Sequence, residues 1–158
     1  MSRKTLAVTA ALVIGVMGLA GQAAAQTDTI TVTVSLTETI EVSLDTNTWA
    51  IGAIALGSTN GPQAFTATVG NIETDLAIRA SDGTGGWTLG SPAGADTFEV
   101  TSDTGASPLT TGDQVLSADV AAYGNVTFNL TYNAPTSDTF GGGVDQGFTI
   151  TLTASDST

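Results

Sequence analysis

The chain contains no cysteine and no histidine, and its three lysines and arginines face 15 aspartates and glutamates. Each shortage removes a class of function. Without cysteine there is no disulfide scaffold, no thiol nucleophile and no zinc site of the Cys/His kind. Without histidine there is no Ser-His-Asp triad. A chain this poor in cations lacks the basic footprint that nucleic-acid binding requires, so no nucleic-acid partner is expected. Charged residues of both signs make up only 11% of the 158 positions, while 41% are hydrophobic and 19 are glycine. That balance is too apolar for a disordered acidic tail and large enough for one buried core.

What is present starts with a leader. Arg3 and Lys4 precede an apolar run from Leu6 to Ala20, and Gln22-Ala23-Ala24-Ala25-Gln26 follows with small residues at both A-x-A positions. Charge, apolar run and small-residue site in that order form a secretory signal peptide. The apolar run is short for a membrane span, which needs about 20 residues. Residues 1–25 are therefore expected to be removed, leaving residues 26–158 as one domain, secreted to the cell exterior or surface, or periplasmic if the cell is Gram-negative and export stops there. Cleavage would take away two cations and no anion, moving the formal charge from −12 to about −14 with Arg79 the remaining cation. No later stretch is long and apolar enough to span a bilayer, and no lipobox cysteine offers an anchor.

The remaining sequence reads as strands and turns. Threonine supplies about a fifth of it, and Val, Ile and Phe recur at every second position. Alternating runs cover Ile30 to Leu36, Ile40 to Leu44, Phe65 to Val69, Ile72 to Ala80, Trp87 to Leu89, Phe98 to Val100, Val126 to Tyr132 and Phe148 to Leu152. Val115 to Val120 is less regular. Trp49 and Ile51 begin a further run whose parity switches at Ile54 and Leu56, which suggests a bulge near Gly52-Ala53. Gly, Asn, Asp, Pro and Ser fill the intervals, as turn chemistry requires. Nine or ten short strands with one apolar face each predict an all-β fold, a single antiparallel β-sandwich, with a β-barrel as the alternative.

The first run carries two readings. Thr29 to Leu36 fits the first edge strand of the sandwich. It also fits an exchangeable N-terminal strand over residues 27–37, in which Ile30, Val32, Val34 and Leu36 enter a neighbouring subunit's sheet and the break at Glu38, which fits an ordinary corner as well, is the hinge. Repeated head to tail, such a contact makes an open fibre.

Catalytic candidates are few. Carboxylates, hydroxyls and two phenols are what remain, and the carboxylates fall on turns or polar strand faces, such as Glu41, Asp75 and Glu99. The glycine-rich stretches contain no GxxxxGK[ST] phosphate loop. The chain is therefore not expected to be an enzyme or to need a cofactor. Calcium is the one ion its oxygen-rich turns could take, through Asp82, Asp103, Asp138 and Asp145, although none matches an EF-hand loop. Trp49 and Trp87 sit in apolar runs and are expected in the core; the other reading makes Trp87, with Tyr123, a contact surface for cell-wall polysaccharide. Asn125-Val126-Thr127 and Asn129-Leu130-Thr131 match the glycosylation sequon.

Trp49-Ala50-Ile51-Gly52, Val69-Gly70-Asn71, Gly86-Trp87-Thr88-Leu89 and the closing Phe148 to Ala154 together resemble small secreted bacterial surface proteins. The Trp87-Thr88-Leu89 triplet is similar to the W-x-L segments of WxL cell-surface domains, and that resemblance implies association with peptidoglycan. In plan, a strand-rich body behind an N-terminal strand resembles TasA-like and other donor-strand fibre subunits, which implies self-assembly. The expectation is an exported structural protein assembling with itself by strand addition; the alternative is a non-catalytic cell-wall or carbohydrate-binding module.

Overall fold

The structure is a computed structural model that describes residues 6–12, 28–35, 37–141 and 145–157. Among these the fold is all-β, without a helix, and no helix is long and apolar enough to cross a membrane. The ten strands are β1 (Leu6–Leu12), β2 (Asp28–Val34), β3 (Val42–Leu44), β4 (Thr59–Val69), β5 (Thr74–Ala80), β6 (Thr88–Leu89), β7 (Thr97–Ser102), β8 (Gln114–Val120), β9 (Asn125–Asn133) and β10 (Ile150–Asp156). The chain divides between Glu38 and Thr39 into two compact units.

The first unit holds β1 and β2, paired antiparallel with Val8 opposite Val32 and Ala10 opposite Ile30. Leu6–Leu12, part of the apolar run expected to be a leader, is thus a strand here. The proposed cleavage site after Ala25 lies outside the described residues, and so does Leu36.

The second unit holds two sheets. Five strands run in the order β3-β4-β9-β7-β6 and three in the order β10-β5-β8. All neighbours are antiparallel except the short β6–β7 pair. The alternation seen in the sequence sets which face of each strand turns inward. On β9, Phe128, Leu130 and Tyr132 are buried; on β5, Leu76, Ile78 and Ala80 are. They meet Phe65, Ala67 and Val69 of β4 and Phe98 and Val100 of β7 in a single apolar cluster fed by both sheets. The outer face of the β4–β9 pair is tied by cross-strand polar pairs, with Thr68 Oγ1 donating to Asn125 Oδ1 at 2.7 Å and Thr59 Oγ1 to Asn133 Oδ1 at 2.8 Å. Gly61-Pro62 falls where the β4–β9 register shifts, a position at which proline's missing donor does no harm to the ladder.

One expected strand is absent. Residues 45–58 form an irregular connection from β3 to β4. Gly52 and Gly57, at φ +71° and +68°, turn the chain there, in the left-handed region that glycine occupies without steric cost. Trp49, Ile51 and Ile54 still pack against the cluster, while Leu56 is half-exposed. The apolar run was a real burial signal carried by loop backbone.

The two sides of this core are finished differently. Opposite β3 and β10, the connection from β7 to β8 crosses from one sheet to the other. Leu109 in its middle is buried within the cluster. The Leu109 amide donates to Val100 O of β7 at 2.8 Å, and Ala80 of β5 donates to Thr110 O at 3.0 Å, so the connection is bonded to both sheets. Its first residue, Asp103, accepts from the Asn129 amide and side chain on β9, and Asp113 at its end lies 3.6 Å from Arg79 of β5. Gly105, at φ +69°, lets this connection pass so near β8 that a Cβ would lie 2.5 Å from Leu116 O.

Candidate functional site

The other side of the core is open. There the edge strand of the five-stranded sheet, β3, approaches the edge strand of the three-stranded sheet, β10. A groove of about 810 Å³ lies along them, with Leu44 of β3, Ile150 and Leu152 of β10, and Phe65 and Phe128 from the cluster in its walls. Trp49 and Ile51 of the irregular connection form its rim, and Asp145 is the only charged residue among the described lining. Val42, Leu44, Trp49, Ile51, Phe148, Ile150, Leu152 and Ala154 are all only partly buried, whereas Phe98, Val100, Leu109 and Leu130 are fully buried. The apolar content of the core therefore continues to the surface along this seam.

Aromatic packing gives the groove a firm base. Phe148, just before β10, contacts Phe98 at 5.0 Å between centroids, Tyr132 at 5.7 Å and Trp49 at 6.4 Å. Trp49 meets Phe65 edge-on at 6.1 Å, and Phe65 stacks on Phe128 at 5.7 Å. Offset and edge-on rings of this kind hold their orientation. Burial pushes the Tyr132 phenol up to about 12, so it stays neutral and does not act as a base at ordinary pH. Among the described residues no buried side-chain nitrogen or oxygen lacks a hydrogen-bond partner. The groove thus has an aromatic and aliphatic base, with Thr46, Asn47, Thr48, Asp145, Gln146 and Thr149 also in its lining, and among the described residues no convergent set of acid–base groups lines it.

The residues singled out in the sequence are scattered by the fold. Trp87 packs partly against the core, its Nε1 donates to Asp138 Oδ1 at 3.2 Å and its amide to Gln146 Oε1 at 3.2 Å. Tyr123 is 72% exposed, at φ 58°, and lines a second, smaller depression beside Gly70 and Glu41. Trp87 does not line that depression, so the two aromatics do not form one platform. The four calcium candidates are also apart in role. Asp82 accepts from the Leu89 amide at 2.8 Å, and Asp138 serves Trp87 and the Phe140 amide. Asp103 serves Asn129, whose two hydrogen bonds hold its carboxyl below the usual range, and Asp145 faces the groove. No group of three or more carboxylates converges among the described residues. Of the sequons, Asn129 has its side-chain amide on Asp103, and Asn125 receives the Thr68 hydroxyl.

In the first unit, Val32 and Val34 are 51% and 55% exposed, and the Ile30 backbone pairs with Ala10. Within the described residues the only strand pairing of β2 is with β1. The groove itself was not foreseen. Its walls come from residues 44–53, 65, 128–130 and 145–152, and no local pattern reveals which strands end up at the edges. The nearest signal was the apolar Trp49–Ile54 run without a consistent strand parity. No family model, no curated protein and no solved structure matches this chain.

Proposed function

We propose that the protein is an exported, non-enzymatic structural subunit that folds as a β-sandwich and assembles with itself into an extracellular fibre or surface layer by adding its N-terminal strand to a neighbour. The observation that carries this reading is β2. It is a regular strand with half-exposed valines at alternate positions, it belongs to a unit separate from the body, and its strand partner is the segment that signal-peptide cleavage would remove. Once β1 is gone, the backbone donors and acceptors of β2 need another strand, because an unpaired edge is a template for pairing. The charge balance agrees: a surface near −14 keeps subunits soluble and discourages random collapse, while residues 29–37 carry no charge and escape that repulsion.

The test is to express the full chain with its leader, recover the exported protein, sequence its N-terminus and image it by negative stain beside size-exclusion chromatography. A start at Gln26 and filaments or sheets that disappear on deleting residues 27–36 are the expected results. An exported protein that stays monomeric at all concentrations, with or without calcium, sinks the reading.

A further inference from the structure

The groove between β3 and β10 runs along a sheet edge that has no strand partner among the described residues. We infer that it is the acceptor for residues 28–36 of a second copy of this chain, which add as a strand to the free edge of β10 and place Val32 and Val34 against Trp49, Phe128 and Leu152. This rests on the reading of the protein as a strand-adding subunit and supplies the half of the contact that the sequence did not show.

Four features select this occupant. First, β10 ends the three-stranded sheet, and its far edge has no strand partner among the described residues. Second, β2 and β10 are both seven residues long, about 24 Å at 3.4 Å per residue, so the incoming strand can pair along the whole edge. Third, the alternation of the donor matches the site: one face offers apolar side chains to Leu44, Trp49, Ile51, Phe65, Ile150 and Leu152 of the groove, and the other offers threonines to solvent, as β4 and β9 already do. Fourth, charge excludes most other parts of the same surface. The chain carries −12, yet beyond Asp28 at its start the donor segment is uncharged, and the groove's described lining holds one carboxylate, Asp145. A segment richer in carboxylates would be repelled there more strongly than this one. The contact joins unlike surfaces, so repetition gives an open chain of subunits.

The absence of native cysteine makes the test direct, because an introduced pair forms the only disulfide available. In the full exported chain, Val32→Cys or Val34→Cys is combined with Leu44→Cys, Ile51→Cys or Leu152→Cys, and the assemblies are oxidised and run without reductant. The control pairs Val34→Cys with Val115→Cys, on an exposed position of β8. A covalent ladder from at least one groove pair, lost with the control, is the expected result. Filaments that ladder through the control as strongly as through every groove pair overturn the acceptor assignment while leaving fibre assembly standing. Covalent dimers without higher rungs keep the groove as acceptor but replace the open fibre by reciprocal exchange. A cross-linked monomer shows the strand returning to its own subunit and overturns the second copy as occupant. Absence of any assembly by the parent chain removes the underlying reading itself. Because cysteine at Leu152 could disturb folding, Leu44→Cys and Ile51→Cys provide two independent positions on the opposite wall.

Discussion

The two lateral seams of this core make an instructive pair. Both lie where the five-stranded sheet meets the three-stranded one, and both are bordered by a connection with apolar residues in it. At one seam the β7–β8 connection inserts Leu109, bonds to Val100 and Ala80, and is held at its ends by Asp103 and Asp113. At the other, residues 45–58 lay Trp49 and Ile51 beside the opening without filling it, and their backbone bonds run to Thr66 and Pro135 on the five-stranded side. Here the connection that closes its side is hydrogen-bonded to both sheets, which fixes where its apolar side chain goes, since burial alone is non-directional. The connection bonded to one sheet leaves the edge of β10 without a strand partner among the described residues.

The comparison can be broken in a graded way. Leu109→Ala should have the largest effect, a loss of about 2–5 kcal/mol, because it empties a fully enclosed site. Leu152→Ala, at a position only partly buried, should cost an isolated subunit no more than about 1–2 kcal/mol. Denaturant midpoints for the pair decide the matter; equal losses would mean that the groove side is as closed as the other. Gly105→Val comes next, at about 1–3 kcal/mol, since it forces a branched residue to positive φ and against the Leu116 carbonyl. The same substitution at Gly52, which has open space around its Cβ position, should cost less, and thermal melts would rank the two.

Acid sharpens the comparison further. The Asp103 carboxyl is held below its ordinary 3.8 by Asn129, so its contribution is present above the unfolded value and is lost as the pH falls below about 4. The stability difference between parent and Asp103→Ala should therefore be constant at neutral pH and shrink in strong acid, as measured by urea titrations across that range. A difference that does not change with pH would show that the carboxylate's charge is irrelevant to anchoring the connection. The smallest effect is expected from Arg79→Ala. Its contact with Asp113 is 3.6 Å long and both side chains are about half-exposed, so the loss should be about 0–1 kcal/mol and should fade in high salt.

How much of this was legible follows from what alternation encodes. The runs at 65–69, 98–100, 126–132 and 150–152 announced strands because a period of two is local, and their inward faces came with them. Trp49 to Leu56 misled for the same reason: the apolar residues were there to be buried, but Gly52 and Gly57 let loop backbone bury them. Trp87 and Tyr123 were paired by residue type, and the fold sends one into a hydrogen bond with Asp138 and the other to a different depression.

By itself the sequence determined the all-β class, the acidity, the leader-like start and the poverty of reactive side chains, because each depends on composition or near neighbours. Only the tertiary structure decided that β10 pairs with β5 some seventy positions earlier, that β3 and β10 finish at facing edges, and that Leu109 closes one seam while the other stays open. Alternation tells a strand which face to bury but not which neighbour to choose. That choice is made by long-range pairing, and it is what creates the groove.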